Sequence, residues 1–223
     1  MYRFDGDCDD GGPGASYTLC TLGSDCSDCG SRTSYPPPPR APSCLAQHDL
    51  VLVLDQSGSM WSFASQVRNF ANAIIGQFAL GATQTAGSRF AVVFFASSAQ
   101  TVASLTADAS TLNSAISGYS PRGLTCISCG LAPAAALLRS ATDRPNARKV
   151  ILLLTDGEQS YSYGGRSAAI ASAQAARGGS DDITLLALGF GGARAATLNA
   201  MASSPSSLNS FPASSLAELQ VRL

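Results

Sequence analysis

Residues 49–59 read DLVLVLDQSGS, and this stretch decides the fold of the chain. The apolar run Asp49–Leu54, rich in Val and Leu, is typical of a strand buried inside a parallel sheet. A polar loop, DQSGS, follows at once. Trp61–Leu80 then carries apolar side chains at the helical period, at Phe63, Val67, Phe70, Ile74 and Phe78. The stretch and its sequel therefore predict a strand, a loop and a helix, the repeating unit of an α/β protein.

The rest of the globular part alternates between strands and helices. Further strands are predicted for Arg89–Phe95, Gln100–Ala103 (a short edge strand), Lys149–Thr155, Asp182–Gly189 and Leu208–Phe211. Helices are predicted for Ala109–Ile116, Gly130–Arg139, Ser167–Ala176, Ala193–Ala202 and Ser214–Leu223. Because the strands are apolar on both faces and helices lie between them, we expect an α/β fold with a doubly wound, mostly parallel central sheet and helices on both faces.

The first 46 residues differ in composition from the rest. Residues 1–34 are rich in Gly, Asp, Ser and Cys, so they cannot bury enough apolar surface to fold unaided. Residues 35–46 contain a proline run, which favours an extended spacer. We therefore expect a small disulfide-rich N-terminal segment at 1–34, a proline-rich linker at 35–46 and a globular domain at 47–223.

The seven cysteines indicate disulfides and an oxidising compartment. Five lie at positions 8, 20, 26, 29 and 44, where cross-links would replace a missing core. The other two, Cys126 and Cys129, either pair with each other or tie the domain to Cys44 or the N-terminal segment. A four-sulfur zinc site that also uses Cys26 and Cys29 is a weaker alternative, since the two pairs lack a zinc-ribbon context.

Charge and hydropathy argue against two classes of partner. The formal net charge is −1 and only 13% of residues are charged, so no basic excess can hold a phosphate backbone, and we expect no nucleic-acid binding. No apolar run approaches the ~18–20 residues of a membrane span. Residues 1–10 are acidic and polar, unlike a signal peptide. We expect an extracellular or cell-surface protein whose signal segment is not present in this chain.

Five oxygen-bearing residues lie in three loops that a parallel sheet brings to one edge. They follow the first strand, precede the helix that starts near residue 130, and follow the strand that ends at residue 155: Asp55, Ser57 and Ser59, then Thr125, then Asp156. Alone, each would serve as a helix cap or turn residue. As a set of carboxylates and hydroxyls they predict a site for Mg²⁺, Mn²⁺ or Ca²⁺ rather than for zinc or copper.

This pattern resembles the metal-ion-dependent adhesion site of von Willebrand factor type A domains, including the inserted domains of integrins, over residues 47–223. The resemblance implies a Rossmann-like fold. It also implies that both serines coordinate the cation directly, whereas the threonine and the two aspartates bind it directly or through water. An acidic residue of the partner would fill the open position of the cation.

One position departs from the family's pattern. The threonine loop of the family usually reads Gly-Gly-Thr, whereas here Leu124 stands between Gly123 and Thr125. Leucine reaches positive φ less readily than glycine does. The resemblance therefore leaves the detailed geometry of this loop open.

The resemblance implies a binding and adhesion module rather than an enzyme. We expect a divalent cation, Mg²⁺ first with Mn²⁺ or Ca²⁺ as alternatives, to engage a protein or matrix ligand that presents a carboxylate, within a larger extracellular assembly. The alternatives are a scaffold domain of an intracellular ATPase or chelatase-like complex, and an accessory domain of a larger enzyme. Catalysis is not expected, because the single histidine, His48, has no nucleophile beside it and Glu158 is the only candidate base near the site.

Trp61 and Phe63 are expected to be core or rim side chains rather than a binding platform.

Overall fold

The sheet is built around β1 (His48–Asp55), as its apolar sequence predicts. The computed structural model describes residues 47–83, 87–179 and 182–222. The other strands in these ranges are β2 (Ser88–Phe95), β3 (Ala99–Thr106), β4 (Arg148–Thr155), β5 (Thr184–Gly189) and β6 (Ser210–Pro212). Their order is β3-β2-β1-β4-β5-β6, and the edge strand β3 alone is antiparallel to its neighbour. The predicted mostly parallel sheet is confirmed.

Helices cover both faces of the sheet. They are α1 (Ala64–Gly76), α2 (Ala109–Ser117), α3 (Ile127–Ser140), α4 (Gly165–Arg177), α5 (Ala195–Met201), α6 (Ser206–Asn209) and α7 (Leu216–Arg222), and short 3₁₀ turns form at Gly58–Phe63 and Tyr161–Tyr163. Alternate residues of β1 enter two cores: Leu52 packs with α1, α2 and α7, and Val53 packs with α3, α4 and α5. A strand that is buried on both faces explains the continuous apolar run.

The structure corrects three predicted elements. The helix predicted at Trp61–Leu80 is a 3₁₀ turn followed by α1, which ends at Gly76. Phe78 and Leu80, beyond the end of α1, still pack on the core, but they lie in an extended segment in which Leu80 bridges to Ser88. Their spacing matches the helical period although they are not helical. Helix α3 starts three residues before the predicted start, at Ile127. The predicted strand Leu208–Phe211 is a helical turn followed by β6.

A buried ion cluster closes the end of the sheet at which β1 starts. The carboxylate of the fully buried Asp49 accepts hydrogen bonds from Arg89 at 2.7 and 2.9 Å and from Arg144 at 2.8 Å. Arg89 also donates to the exposed Asp143 at 2.7 Å, and Arg144 donates to the carbonyl of Gly87. The hydrogen bonds that Arg89 donates to Asp49 raise the pKa of Arg89, and the hydrogen bond from Arg89 lowers the pKa of Asp143. The cluster ties β1 and β2 to the loop after α3.

The predicted N-terminal segment (1–34) and proline-rich linker (35–46) lie outside the described residues. Within the described ranges, none of the helices combines the length and apolar character that crossing a membrane requires.

Candidate metal centre

The three loops that carry the predicted ligands meet at the carboxyl edge of the sheet. The loop after β1 reaches the loop before α3 through a hydrogen bond from the Gly58 amide to the Gly123 carbonyl, at 3.0 Å. It reaches the loop after β4 through the Ser59 hydroxyl, which donates to Oδ1 of Asp156 at 2.8 Å. Parallel strands place their carboxyl ends on the same edge, so the predicted convergence follows from the sheet order.

Asp55 is a buried carboxylate at the end of β1. Its Oδ1 accepts from the Ser57 amide at 2.8 Å and its Oδ2 accepts from the Thr155 hydroxyl at 2.6 Å. Burial raises its pKa to about 6 in spite of these hydrogen bonds, and repulsion by Asp156 adds to the rise. None of the described Lys or Arg side chains forms an ion pair with Asp55. A bound cation would supply the missing compensation for this charge.

Two serine hydroxyls extend the site from Asp55 towards Asp156. The Oγ atoms of the buried Ser57 and the exposed Ser59 lie 3.2 Å apart. Asp156 is 8% exposed, and burial raises its pKa. Hydrogen bonds therefore join four of the five predicted ligands in one row, from Asp55 through the amide and hydroxyl of Ser57 to Ser59 and Asp156.

Thr125 joins the site through its backbone. The Ser160 hydroxyl accepts from the Thr125 amide at 3.2 Å, and the Ser160 amide donates to the Thr125 carbonyl at 2.9 Å. Among the hydrogen bonds of the described residues, none links the Thr125 side chain directly to the other four predicted ligands. This threonine, half-buried beside the loop after β4, is held at the edge where the other four lie.

Leu124 fits the threonine loop without positive φ. The left-handed conformation falls one residue earlier, at Gly123, with φ of 80°. A Cβ on Gly123 would lie 2.7 Å from the Ser97 hydroxyl oxygen, so glycine is required there on both grounds. The Leu124 amide donates to that same oxygen at 3.0 Å, and its side chain is 52% exposed. The departure from the family's pattern therefore does not strain the loop.

Cys126 and Cys129 form a disulfide directly after Thr125, with Cα atoms 5.2 Å apart. Of the two pairings that the sequence left open, the structure has the one between Cys126 and Cys129. The disulfide spans the first turn of α3, where Cys126 Sγ also accepts from the Cys129 amide at 3.2 Å. It therefore cross-links the residues that directly follow Thr125, the predicted threonine ligand.

Three supporting residues were missed at the sequence level. Thr155 binds the Asp55 carboxylate, Tyr119 donates its hydroxyl proton to the Asp55 backbone carbonyl, and Ser160 holds Thr125. Thr155 stands beside Asp156 in the sequence, so its position offered a signal. Tyr119 offered none, because it lies 64 residues from its partner.

The donor set fits a hard divalent cation. It combines two carboxylates, both with raised pKa, with three neutral hydroxyls. The described residues contain no cluster of three or more His, Cys, Asp or Glu side chains, so the site differs from nitrogen, sulfur or all-carboxylate cages. A small number of such oxygen ligands suits an ion such as Mg²⁺, which keeps several of its water molecules.

We expect Asp55→Asn to stabilise the metal-free domain at pH 7.5 while it removes metal binding. The pKa of Asp55 in the folded state, about 6, exceeds its ordinary value of 3.8. Asp55 therefore contributes to the free energy of unfolding in full below pH 3.8, and this contribution is lost as the pH rises through 6. The difference at pH 7.5 is ~3 kcal/mol, and it shrinks towards zero at pH 4. Urea unfolding in EDTA at the two pH values measures both effects.

Asp108→Asn is the matched control for this experiment. Asp108 caps α2, its carboxylate accepts from Ser110 and Thr111, and its pKa is lowered rather than raised. Any pH effect of its substitution should therefore have the opposite sign. If Asp55→Asn is less stable than the wild type in EDTA at both pH values, Asp55 is not an uncompensated buried charge.

Comparisons with known proteins assign the chain's globular part to a family and a fold. A model of the von Willebrand factor type A domain matches residues 49–222. A search among curated proteins finds no match.

Solved structures share the fold. Proximal thread matrix protein 1 from the mussel byssus, solved with a zinc-occupied metal-ion-dependent adhesion site, matches with a TM-score of 0.65 and 27% identity over 81% of this chain and 45% of that chain. The chain thus spans less than half of that protein. The pilus adhesin SpaC from Lactobacillus rhamnosus GG (TM-score 0.61, 20% identity, 80% of this chain, 29% of that chain) shares the fold alone. So does the domain of the type V pili tip protein Mfa5 from Porphyromonas gingivalis (TM-score 0.63, 16% identity, 79% and 92%).

Proposed function

The chain belongs to the von Willebrand factor type A family, and we propose that it is a non-catalytic binding module that holds a divalent cation and engages a carboxylate of a protein or matrix partner through it. The proposed ligands of the cation are Asp55, Ser57, Ser59, Thr125 and Asp156. One observation carries the proposal: two buried carboxylates and a row of hydroxyls converge, and none of the described Lys or Arg side chains forms an ion pair with either carboxylate.

The mix of ligands explains why the site would bind a partner. Three of the five proposed ligands are neutral hydroxyls, so only two carboxylates offset the charge of a divalent ion. An ion held in this way keeps enough positive charge to attract a carboxylate from outside, since it is the largest local charge. A cage of four carboxylates would hold the metal more tightly and attract a partner less.

Magnesium is the metal that we propose first. All five proposed ligands are oxygens, which Mg²⁺, Mn²⁺ and Ca²⁺ prefer. Domains of this family commonly bind a divalent cation at this motif, and the related mussel protein holds zinc there. Zinc therefore belongs in every titration alongside the other three ions.

We place the protein outside the cell or at its surface, in a larger assembly. The Cys126–Cys129 disulfide supports an oxidising compartment and argues against the intracellular scaffold alternative. The related structures named above come from a byssal matrix protein and from bacterial pili. Their locations support the proposal by analogy.

The proposal assigns no catalysis to the cation. His48, the single histidine of the chain, starts β1, whereas Asp55 ends it, so the two lie ~23 Å apart along the strand. Glu158, the nearest candidate base, accepts a hydrogen bond from the Arg194 amide at 3.3 Å. A water-activating base beside the metal therefore has no evident source.

Selection of random peptides tests the function without a known partner. Phage-displayed peptides are captured on the immobilised full chain in Mg²⁺ and released with EDTA. We expect the released peptides to be enriched in Asp or Glu, and Ala at that position to abolish binding, because the carboxylate would contact the ion. Asp156→Asn protein serves as the control surface. Release that does not depend on EDTA, or peptides without a required acidic residue, would refute the mechanism.

A further inference from the structure

Large apolar side chains are exposed around the proposed metal site. Among the described residues, four large apolar side chains are mainly in solvent, and three of them lie in the loops that carry the ligands: Trp61 at 76%, Leu124 at 52% and Tyr161 at 98%. The fourth, Leu208 at 68%, lies on α6. We call the first three the apolar rim. Grouped exposed apolar side chains mark interaction surfaces, whereas scattered ones need no explanation.

Short chain segments connect the apolar rim to the metal ligands. Trp61 follows Ser59 by two residues, and Leu124 immediately precedes Thr125. Tyr161 follows Ser160, whose amide and hydroxyl both bond the backbone of Thr125, at 2.9 and 3.2 Å. The rim residues therefore come from all three loops that carry the proposed ligands.

Trp61 and Leu124 are exposed although residues close to them in the sequence are buried. Met60, beside Trp61, is fully buried, and Phe63 packs edge-on against Phe190 with ring centroids 5.1 Å apart. Cys126, two residues after Leu124, is likewise buried. The loops thus have inward-facing positions that already fill the core. Trp61 is a rim side chain and Phe63 a core-facing one, and within the described ranges the Trp61 ring stacks on no other aromatic ring and is 76% exposed.

The charge at this edge complements an acidic partner. Arg122, Arg166 and Arg194 are exposed in or beside the three loops. Arg166, Arg194 and Tyr161 line a groove of about 380 Å³ that also contains Glu158. A bound divalent cation together with three arginines exceeds the charge of Asp55, Asp156 and Glu158. This edge would therefore attract a negatively charged segment.

We propose that the apolar rim selects the partner: the module recognises a protein segment in which aromatic or aliphatic side chains flank the metal-binding acidic residue. This inference rests on the proposed function and adds the chemistry next to the carboxylate. A carboxylate alone is common on protein surfaces, so the metal contact would discriminate poorly between partners. Contacts of Trp61, Leu124 and Tyr161 with apolar side chains would supply the discrimination, as buried aromatic anchors do in protein interfaces.

The test uses the same metal-dependent peptide selection on the full chain, followed by affinity measurements. We expect apolar residues to be enriched within a few positions of the acidic residue. Trp61→Ser, Leu124→Ser and Tyr161→Ser should each weaken binding of a selected peptide, by about tenfold or more for the two aromatic residues. Leu208→Ser removes an exposed leucine outside the three loops and should bind as the wild type does.

Calorimetry with Mg²⁺ on each variant separates the two proposals. Rim variants should retain wild-type Mg²⁺ affinity, which shows that they fold and hold the ion. If acidic peptides are selected without apolar neighbours, or if the rim variants bind peptide as the wild type does, the inference fails and the proposed function stands. If no metal-dependent acidic peptide emerges, the proposed function itself fails. Binding of neutral oligosaccharides that requires Trp61 and no acidic group would overturn both.

Discussion

Asp156→Ala is expected to weaken Mg²⁺ binding by at least about 100-fold, because loss of a mere outer-shell partner of a metal site typically costs 10–100-fold. The substitution removes one of the two carboxylates of the site and the acceptor of the Ser59 hydrogen bond. Ser57→Ala removes a buried hydroxyl from the same row and should weaken binding by about tenfold or more. Calorimetric titration of the full chain with Mg²⁺, Mn²⁺, Ca²⁺ and Zn²⁺ measures both losses.

Glu158→Ala is the matched control for charge. It removes one carboxylate from the same loop, but this carboxylate bonds the Arg194 amide rather than a proposed ligand. Its Mg²⁺ affinity should stay within about twofold of the wild type, because only a screened long-range charge is lost. Asp156→Asn, which keeps the shape of the side chain, shows whether the charge or the fold is responsible. Equal metal binding by Asp156→Ala and the wild type would remove the site from consideration.

Asp49→Ala is expected to destabilise the domain by ~3–5 kcal/mol, since removing one member of a buried ion cluster leaves uncompensated charge behind. Two guanidinium groups depend on this carboxylate: Arg144 is 1% exposed and Arg89 is 9% exposed. The Nε of Arg144 already has no hydrogen-bond partner among the described residues. For a domain of this size the loss corresponds to a fall in Tm of ~10–15 °C. Urea unfolding followed by circular dichroism measures it.

Asp143→Ala separates burial from charge in that cluster. Asp143 also binds Arg89, at 2.7 Å, but its side chain is 59% exposed. An exposed ion pair contributes ~0–1 kcal/mol, so this variant should unfold close to the wild type. Replacing Asp49, Arg89 and Arg144 together by Leu, Met and Met should recover much of the stability that Asp49→Ala loses. A loss below ~1 kcal/mol for Asp49→Ala would contradict this account of the cluster.

The fold and the convergence of most of the candidate metal site were predictable because their signals are local. The apolar run of residues 49–54 and the polar loop behind it lie within eleven residues, and together they predicted β1 and three ligands. The same reasoning from strand ends located Thr125 and Asp156. Local spacing also misled: Phe78 and Leu80 continue a helical period although they belong to an extended segment.

The sequence left the pairing of Cys126 open, because spacing does not give the distance between Cα atoms. The structure places Cys126 and Cys129 on one turn of α3, with Cα atoms 5.2 Å apart, so they pair with each other. It likewise answered the question raised by Leu124. The turn places its positive φ at Gly123, where a Cβ would also clash with the Ser97 hydroxyl.

By itself, the sequence determined the order of strands and helices, the α/β class and the five oxygen-bearing residues that we propose as ligands, because apolar periodicity and strand-end motifs are properties of neighbouring residues. Only the tertiary structure decided which distant groups support them. Thr155 binds Asp55 across 100 residues, and Arg144 binds Asp49 across 95. The tertiary structure also decided that Trp61 is exposed while Met60 beside it is buried. Such partners and exposures depend on how elements far apart in sequence pack together, which no local pattern records.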